Sequence, residues 1–328
     1  MPVNADLTGE VILAIHHHQI SLESDQPFHG RLPTHHLGFL LADLPVAIRC
    51  AVSMAIRNRS KTPGKQPEWL QRASDIRFIG HDGNGLAHLR FELPSLNEAV
   101  SEVYQQPWLI DSDRPDGRLS GLDLLMAIIR DIDAGKADSN AFDPQLLHQI
   151  ARFKRFFRSS PFTAFRIGGS EPAAGETRVT SATTENSLRL YGRTPMPQRS
   201  RIVGQLDGLE ASTQRFSLVL DSGERVPGVF PEELSDQLQQ LWRARVLVVG
   251  TSVFRASGNL LRVEAETIAE GTGVPALFSR TPTASSARID PNRLRKSQNS
   301  RSGMAAIMGR WPGDETDEQI ERALEQIG

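Results

Sequence analysis

Nine histidines and one cysteine are the residues in this chain best suited to chemistry at neutral pH, and three of the histidines stand together in "HHH", residues 16–18. His16 and His18 with Glu23 would supply two imidazoles and a carboxylate, a ligand set that suits zinc or a similar divalent ion. That set defines a metal-dependent enzyme built on a His-rich strand. The competing reading is a strand whose histidines alternate between the two faces of a sheet. His35, His36 and Cys50 offer a base and a thiol, but no third group to orient them is visible. "GHDGNG" holds glycines in hairpin context, not between a strand and a helix, so it does not cradle a phosphate. These residues call for no bound metal, no cofactor and no catalytic residue.

Two constellations point to binding. "ARFKRFFRSSPFTAFR", residues 151–166, interleaves five phenylalanines with five basic residues. Aromatic rings with interspersed cations make a platform for single-stranded nucleic acid. Leu146, Ile150, Phe153 and Phe157 nevertheless recur at helical spacing, the mark of a core stripe. Further on, Phe216, Arg225, Phe254 and Arg255 sit in short strands and could hold single-stranded RNA or DNA.

The elements that position these residues follow from periodicity. "GEVILAIHHHQISLE" reads as a strand and "PTHHLGFLLADLPVAIRCAVSMAIRNR" as an amphipathic helix with Pro45 inside it. "SDIRFIGHDGNGLAHLRFELP" reads as a hairpin, and helices are expected at about 119–134 and 143–158, the second with Asp143 as its cap and Pro144 in its first turn. Residues 1–160 are therefore expected to form a mixed α+β domain. Residues 161–199 read as an irregular connection, with one or two strands in "TRVTSATTENSLRLYG". Residues 200–270 give three strands, a helix and two strands, the order of a small OB-like barrel, with an SH3-like barrel as the alternative.

Residues 271–302 lose periodicity and set six basic residues against one acid, Asp290. That composition predicts a flexible, disordered linker. The last 26 residues, 303–328, regain pattern. Met304, Ile307, Met308 and Trp311 share one side of a short turn, and Thr316 with Gln319 forms a capping box. Ile320, Leu324 and Ile327 then make a narrow apolar stripe that something must cover, because a helix this short is marginal alone. The segment predicts a tail that folds on a partner.

Here the chain resembles a known family. "GMAAIMGRWPGDETDEQIERAL", residues 303–324, is similar to the C-terminal segment of bacterial VapB-type antitoxins and of longer proteins encoded beside PIN-domain ribonucleases. The resemblance implies a toxin–antitoxin partner: a PIN-type ribonuclease bound, and inhibited, by the tail. Met304, Ile307, Met308 and Trp311 would anchor in an apolar groove, Arg310 would approach the nuclease carboxylates, and Ile320 and Leu324 would dock the acidic helix. Residues 201–268 are similar to a barrel found in some of the longer proteins. Short antitoxins carry an N-terminal DNA-binding module, and residues 1–160 show none.

Composition sets the outer limits. With 37 basic and 39 acidic residues the net charge is -2, and 39% of residues are hydrophobic. This excludes wholesale disorder and nucleic-acid binding over the whole surface. A single cysteine excludes an internal disulfide framework. The start lacks a signal-peptide pattern and no apolar run looks long enough to span a bilayer, so a cytoplasmic protein with no membrane partner is expected.

Overall fold

The computed structural model describes residues 15–61, 64–82, 87–105, 114–170 and 175–284. The chain divides into two units at Arg288/Ile289, and all the described residues fall in the first. They form a mixed α+β structure with two sheets of five strands each.

Alternation builds the first sheet. β1 (Ile15–Ser24) turns His18, Ile20 and Leu22 inward and His17 and Gln19 outward. β2 (Arg77–Asp82) and β3 (Ala87–Pro94) pair antiparallel as the expected hairpin. β3 buries Ala87, Leu89, Phe91 and Leu93 on one face. β4 (Phe162–Gly168) and β5 (Glu176–Thr180) complete the sheet in the order β2-β3-β1-β4-β5, with every pairing antiparallel.

The inner face is covered by helices. α1 (Thr34–Arg57) runs through Pro45 and buries Leu40, Leu44, Ile48, Val52 and Ile56, the stripe its spacing predicts. α1 is also long and apolar enough to cross a membrane by length and composition, but more than half of that stretch is buried inside the protein. It is a core helix here. The short α2 (Glu68–Ala73), α3 (Leu96–Ala99) and α4 (Ser101–Tyr104) lead to α5 (Gly121–Asp133) and α6 (Pro144–Ala151), which both pack on α1. Ser120 and Asp123 close a capping box at the start of α5, and Asp143 caps α6 by accepting from Leu146 N. The short α7 (Lys154–Phe157) follows.

α8 (Ser181–Arg193) corrects the expectation for residues 161–199. "TRVTSATTENSLRLYG" is one strand followed by a helix, because Thr180 and Thr183 form a second capping box that stops β5 and starts α8. Threonine-rich sequence favours strands by propensity, and the cap decides otherwise. The α+β layer therefore extends to Arg193, well past residue 160. In "ARFKRFFRSSPFTAFR" the core reading holds: Phe153, Phe156, Phe162 and Phe165 are buried and their rings contact one another.

The second sheet closes on itself. β6 (Gln198–Glu210), β7 (Arg215–Val219), β8 (Arg225–Val229), β9 (Arg245–Phe254) and β10 (Leu260–Glu270) form a barrel in the order β10-β8-β7-β6-β9, with β8–β10 parallel and the other pairs antiparallel. A short 3-10 turn (Glu232–Leu234) and α9 (Ser235–Gln240) lie between β8 and β9. Gly228 lets the Phe216 ring fill the barrel interior, and Gly250 lets β9 approach the Glu264 carbonyl; a Cβ at either position would collide. Residues 271–284 depart from the flexible linker expected there. Gly271 N donates to Arg245 O at 2.7 Å, Asp221 N donates to Ser279 Oγ at 2.8 Å, and Ala284 packs on the barrel core.

Candidate functional site

Three places bring chemistry-bearing side chains together. The first surrounds His18. Its Nδ1 lies 3.0 Å from Gly168 O, which can only accept, so Nδ1 carries a proton. Its Nε2 lies 2.8 Å from Ser120 Oγ, and Ser120 Oγ lies 2.8 Å from Asp123 Oδ2. Ser170 adds its backbone N at 3.0 Å from Asp123 Oδ1 and its hydroxyl at 2.8 Å from Oδ2.

A serine, a histidine and an aspartate in contact invite comparison with a hydrolytic triad, but the order is wrong. In a triad the carboxylate orients the histidine. Here it binds the serine, and the histidine is oriented by a backbone carbonyl. His18, Ser120 and Asp123 are all nearly inaccessible. The cluster ties β1, the start of α5 and the β4–β5 connection into one piece. Burial pulls His18 below its ordinary value, partly opposed by the Gly168 carbonyl and the Asp123 charge. Burial works against ionised Asp123 too, yet donors from Ser120 and Ser170 hold its carboxyl below the usual range.

The metal trio does not assemble. His16 and His18 project to the face opposite Glu23, because an even and an odd position of one strand cannot share a face. Glu23 is instead held by Arg166 and Arg178 on the outer face of the sheet. Among the described residues no group of three or more histidines, cysteines or acids is placed to hold a metal.

The second place is the joint between the α+β layer and the barrel. Arg262 Nη2 donates to Asp143 Oδ2 at 3.0 Å, with both side chains buried. Asp143 also accepts from Ser60 N at 3.0 Å and Ser60 Oγ at 2.5 Å. Burial opposes its charge, and Arg262 and Ser60 more than offset that, so its carboxyl stays below the usual range. Asp138 holds Arg255, Ser257 and Asn259, and Arg59 donates to Gln214 at 3.0 Å. Val253, Ala256 and Leu261 of the barrel join the apolar core of the α+β layer.

This joint relocates the residues expected to touch nucleic acid. Phe216 and Phe254 are 1% exposed inside the barrel and offer no ring face to a base. Arg225 and Arg255 do meet, in a groove of about 530 Å³ that the α+β layer also lines. Arg225 pairs with Asp207 and Arg255 with Asp138. Nothing in the sequence marked that barrel face as covered.

The third place is a cleft of about 560 Å³ between α1, α6 and the end of α8. Arg49, Lys61, His148 and Arg152 line it, and among the described residues no acid does. Cys50 lines it as well, but burial pushes its thiol up to about 11, so it is not a ready nucleophile. His35 and His36 sit at the far end of α1, about 20 Å away at 1.5 Å per residue. The base and thiol expected together are therefore apart. The tail residues Met304, Ile307, Met308, Arg310, Trp311, Ile320 and Leu324 lie outside the described residues.

Comparison with known proteins found no matching family model, no matching curated protein and no matching solved structure.

Proposed function

We propose that this chain is a cytoplasmic, antitoxin-like binding protein whose C-terminal segment captures and inhibits a PIN-type ribonuclease. The observation that carries the reading is the segment "GMAAIMGRWPGDETDEQIERAL": an apolar cluster with Arg310 and Trp311, then a capped acidic helix with a narrow apolar stripe. PIN chemistry needs clustered carboxylates around a divalent ion, and a guanidinium can pair with such carboxylates in the ion's place. The two buried polar clusters in the body, at His18 and at Asp143, spend their hydrogen bonds on holding elements together, which fits a scaffold.

We read the barrel as OB-type. Its support is the strand order, the parallel closure of third on fifth strand and the helix between third and fourth. OB barrels commonly bind oligonucleotides on the second and third strands and on the loops joining strands one to two and four to five. In this chain Arg215 and Ser217 of the second strand are buried although they point out of the barrel, and both loops are bonded to the α+β layer. That arrangement favours the tail over the barrel as the working surface.

The test is a native pull-down of the full chain and of a chain ending at Ser302, read by mass spectrometry. Recovery of a small nuclease with the full chain alone is expected. Equal recovery with both chains would remove the tail from the account.

A further inference from the structure

We propose that the cleft between α1, α6 and α8 binds a small organic phosphate that carries a flat ring, of about mononucleotide size. The argument begins with uncompensated charge. Asp43, 1% exposed, accepts from Arg155 Nη2 at 2.6 and 2.7 Å and from Arg155 Nε at 3.2 Å, and Arg152 shares the same carboxylate at 3.2 Å. Two guanidinium groups on one carboxylate leave a surplus positive charge at the cleft wall.

Arg49 and Lys61 have no ion-pair partner among the described residues, and Arg49 Nε is buried without a hydrogen-bond partner. A buried guanidinium N–H left unbonded is costly, and a ligand oxygen or a water would satisfy it; Arg57 and Arg59 hold buried Nε atoms in the same state. Arg49 and Lys61 both line the same cleft as Cys50. Asp143, which binds the lining Ser60, is already matched by Arg262.

The rest of the lining suits the remainder of such a ligand. His148 and Tyr191 stand with ring centroids 5.7 Å apart at 52°, an aromatic corner at the mouth. Leu70 and Pro67 supply apolar floor, and Gln66 and Gln145 supply neutral hydrogen-bonding groups. The volume of about 560 Å³ falls within the roughly 300–1,000 Å³ of small-ligand sites. Arg49 and Gln66 also border a second hollow of about 340 Å³, which Asp75, paired with Arg77, lines as well. Phosphate on Arg49 and Lys61 with the ring against His148 and Tyr191 uses every one of these features.

Equilibrium binding to the full chain tests this with three probes: adenosine 5′-monophosphate, ribose 5-phosphate and adenosine. The monophosphate is expected to bind tightest, ribose 5-phosphate less tightly and adenosine weakest. Arg49→Gln and, separately, the exposed Lys61→Gln should each weaken monophosphate binding at least about tenfold. Arg90→Gln, on the outer face of the sheet, should leave it unchanged. Adenosine binding as tightly as its monophosphate would overturn the proposal. So would unchanged binding in both cleft variants whose thermal melting matches the parent, or no binding of either phosphate at millimolar concentration.

Discussion

The His18 cluster and the Arg49 cleft are both built from titratable side chains lined up against α1 or α5, yet they have opposite character. Around His18 every donor has an acceptor: Gly168 O, Ser120 and Ser170 account for both imidazole nitrogens and both oxygens of Asp123. Around Arg49 two cations stand without a counter-ion among the described residues, beside open volume. Residue type alone does not separate structure from function here. Whether the hydrogen bonds are already spent does.

Breaking the spent bonds should cost stability, and the largest loss is expected at the joint. Asp143→Ala leaves the Ser60 donors unpaired in the interior and Arg262 with Glu264 alone, and about 3–5 kcal/mol of stability should disappear in urea unfolding. Pairing Asp143→Leu with Arg262→Met should recover much of that loss. Asp123→Ala leaves the backbone N–H groups of Ser120 and Ser170 unpaired and should cost about 2–3 kcal/mol by the same measurement. Thr180→Ala removes the cap that turns β5 into α8, with an expected cost of about 1 kcal/mol. Arg49→Gln and Lys61→Gln should move stability by no more than about 0.5 kcal/mol, since neither cation has an ion-pair partner among the described residues. A cleft variant that unfolds the protein would erase the contrast.

Acid sharpens the same comparison. His18 is lowered in the folded state, so at pH above 6.5 it is neutral folded or unfolded and contributes nothing to pH dependence. Below 6.5 the unfolded chain takes up the proton first, and stability falls with pH. Asp123 and Asp143 are also lowered; their contribution is full above 3.8 and is lost as pH drops through their folded values. Urea midpoints should therefore fall between pH 7.5 and 5.5, and the fall should shrink in His18→Gln.

The sequence foretold this architecture unevenly. Periodicity located α1, the β2–β3 hairpin and all five barrel strands, because each has an apolar face that shows in one dimension. It missed α8, where two threonines at the cap outweigh the propensity of the residues around them. It also put the domain boundary near residue 160, since nothing local says that β4 must pair with β1, more than 130 residues earlier, and carry β5 on its other edge. The candidate sites were harder still. His18 was conspicuous as part of a run, but its partners Ser120, Asp123 and Ser170 are ordinary polar residues 102 or more positions further along the chain. Arg49 was hidden in an apolar helix. Phe216 and Phe254 looked like stacking residues because a strand does not announce which of its faces is inside the barrel.

The central claim concerns the C-terminal segment, and an inhibition assay tests it most directly. The nuclease recovered with the full chain is assayed on single-stranded RNA with a divalent ion, alone, with the full chain, and with the chain carrying both Arg310→Ala and Trp311→Ala. Suppression by the full chain and release of activity by the double variant is the predicted result. Equal suppression by both would contradict the account, because the inhibiting contact would then lie elsewhere on the molecule.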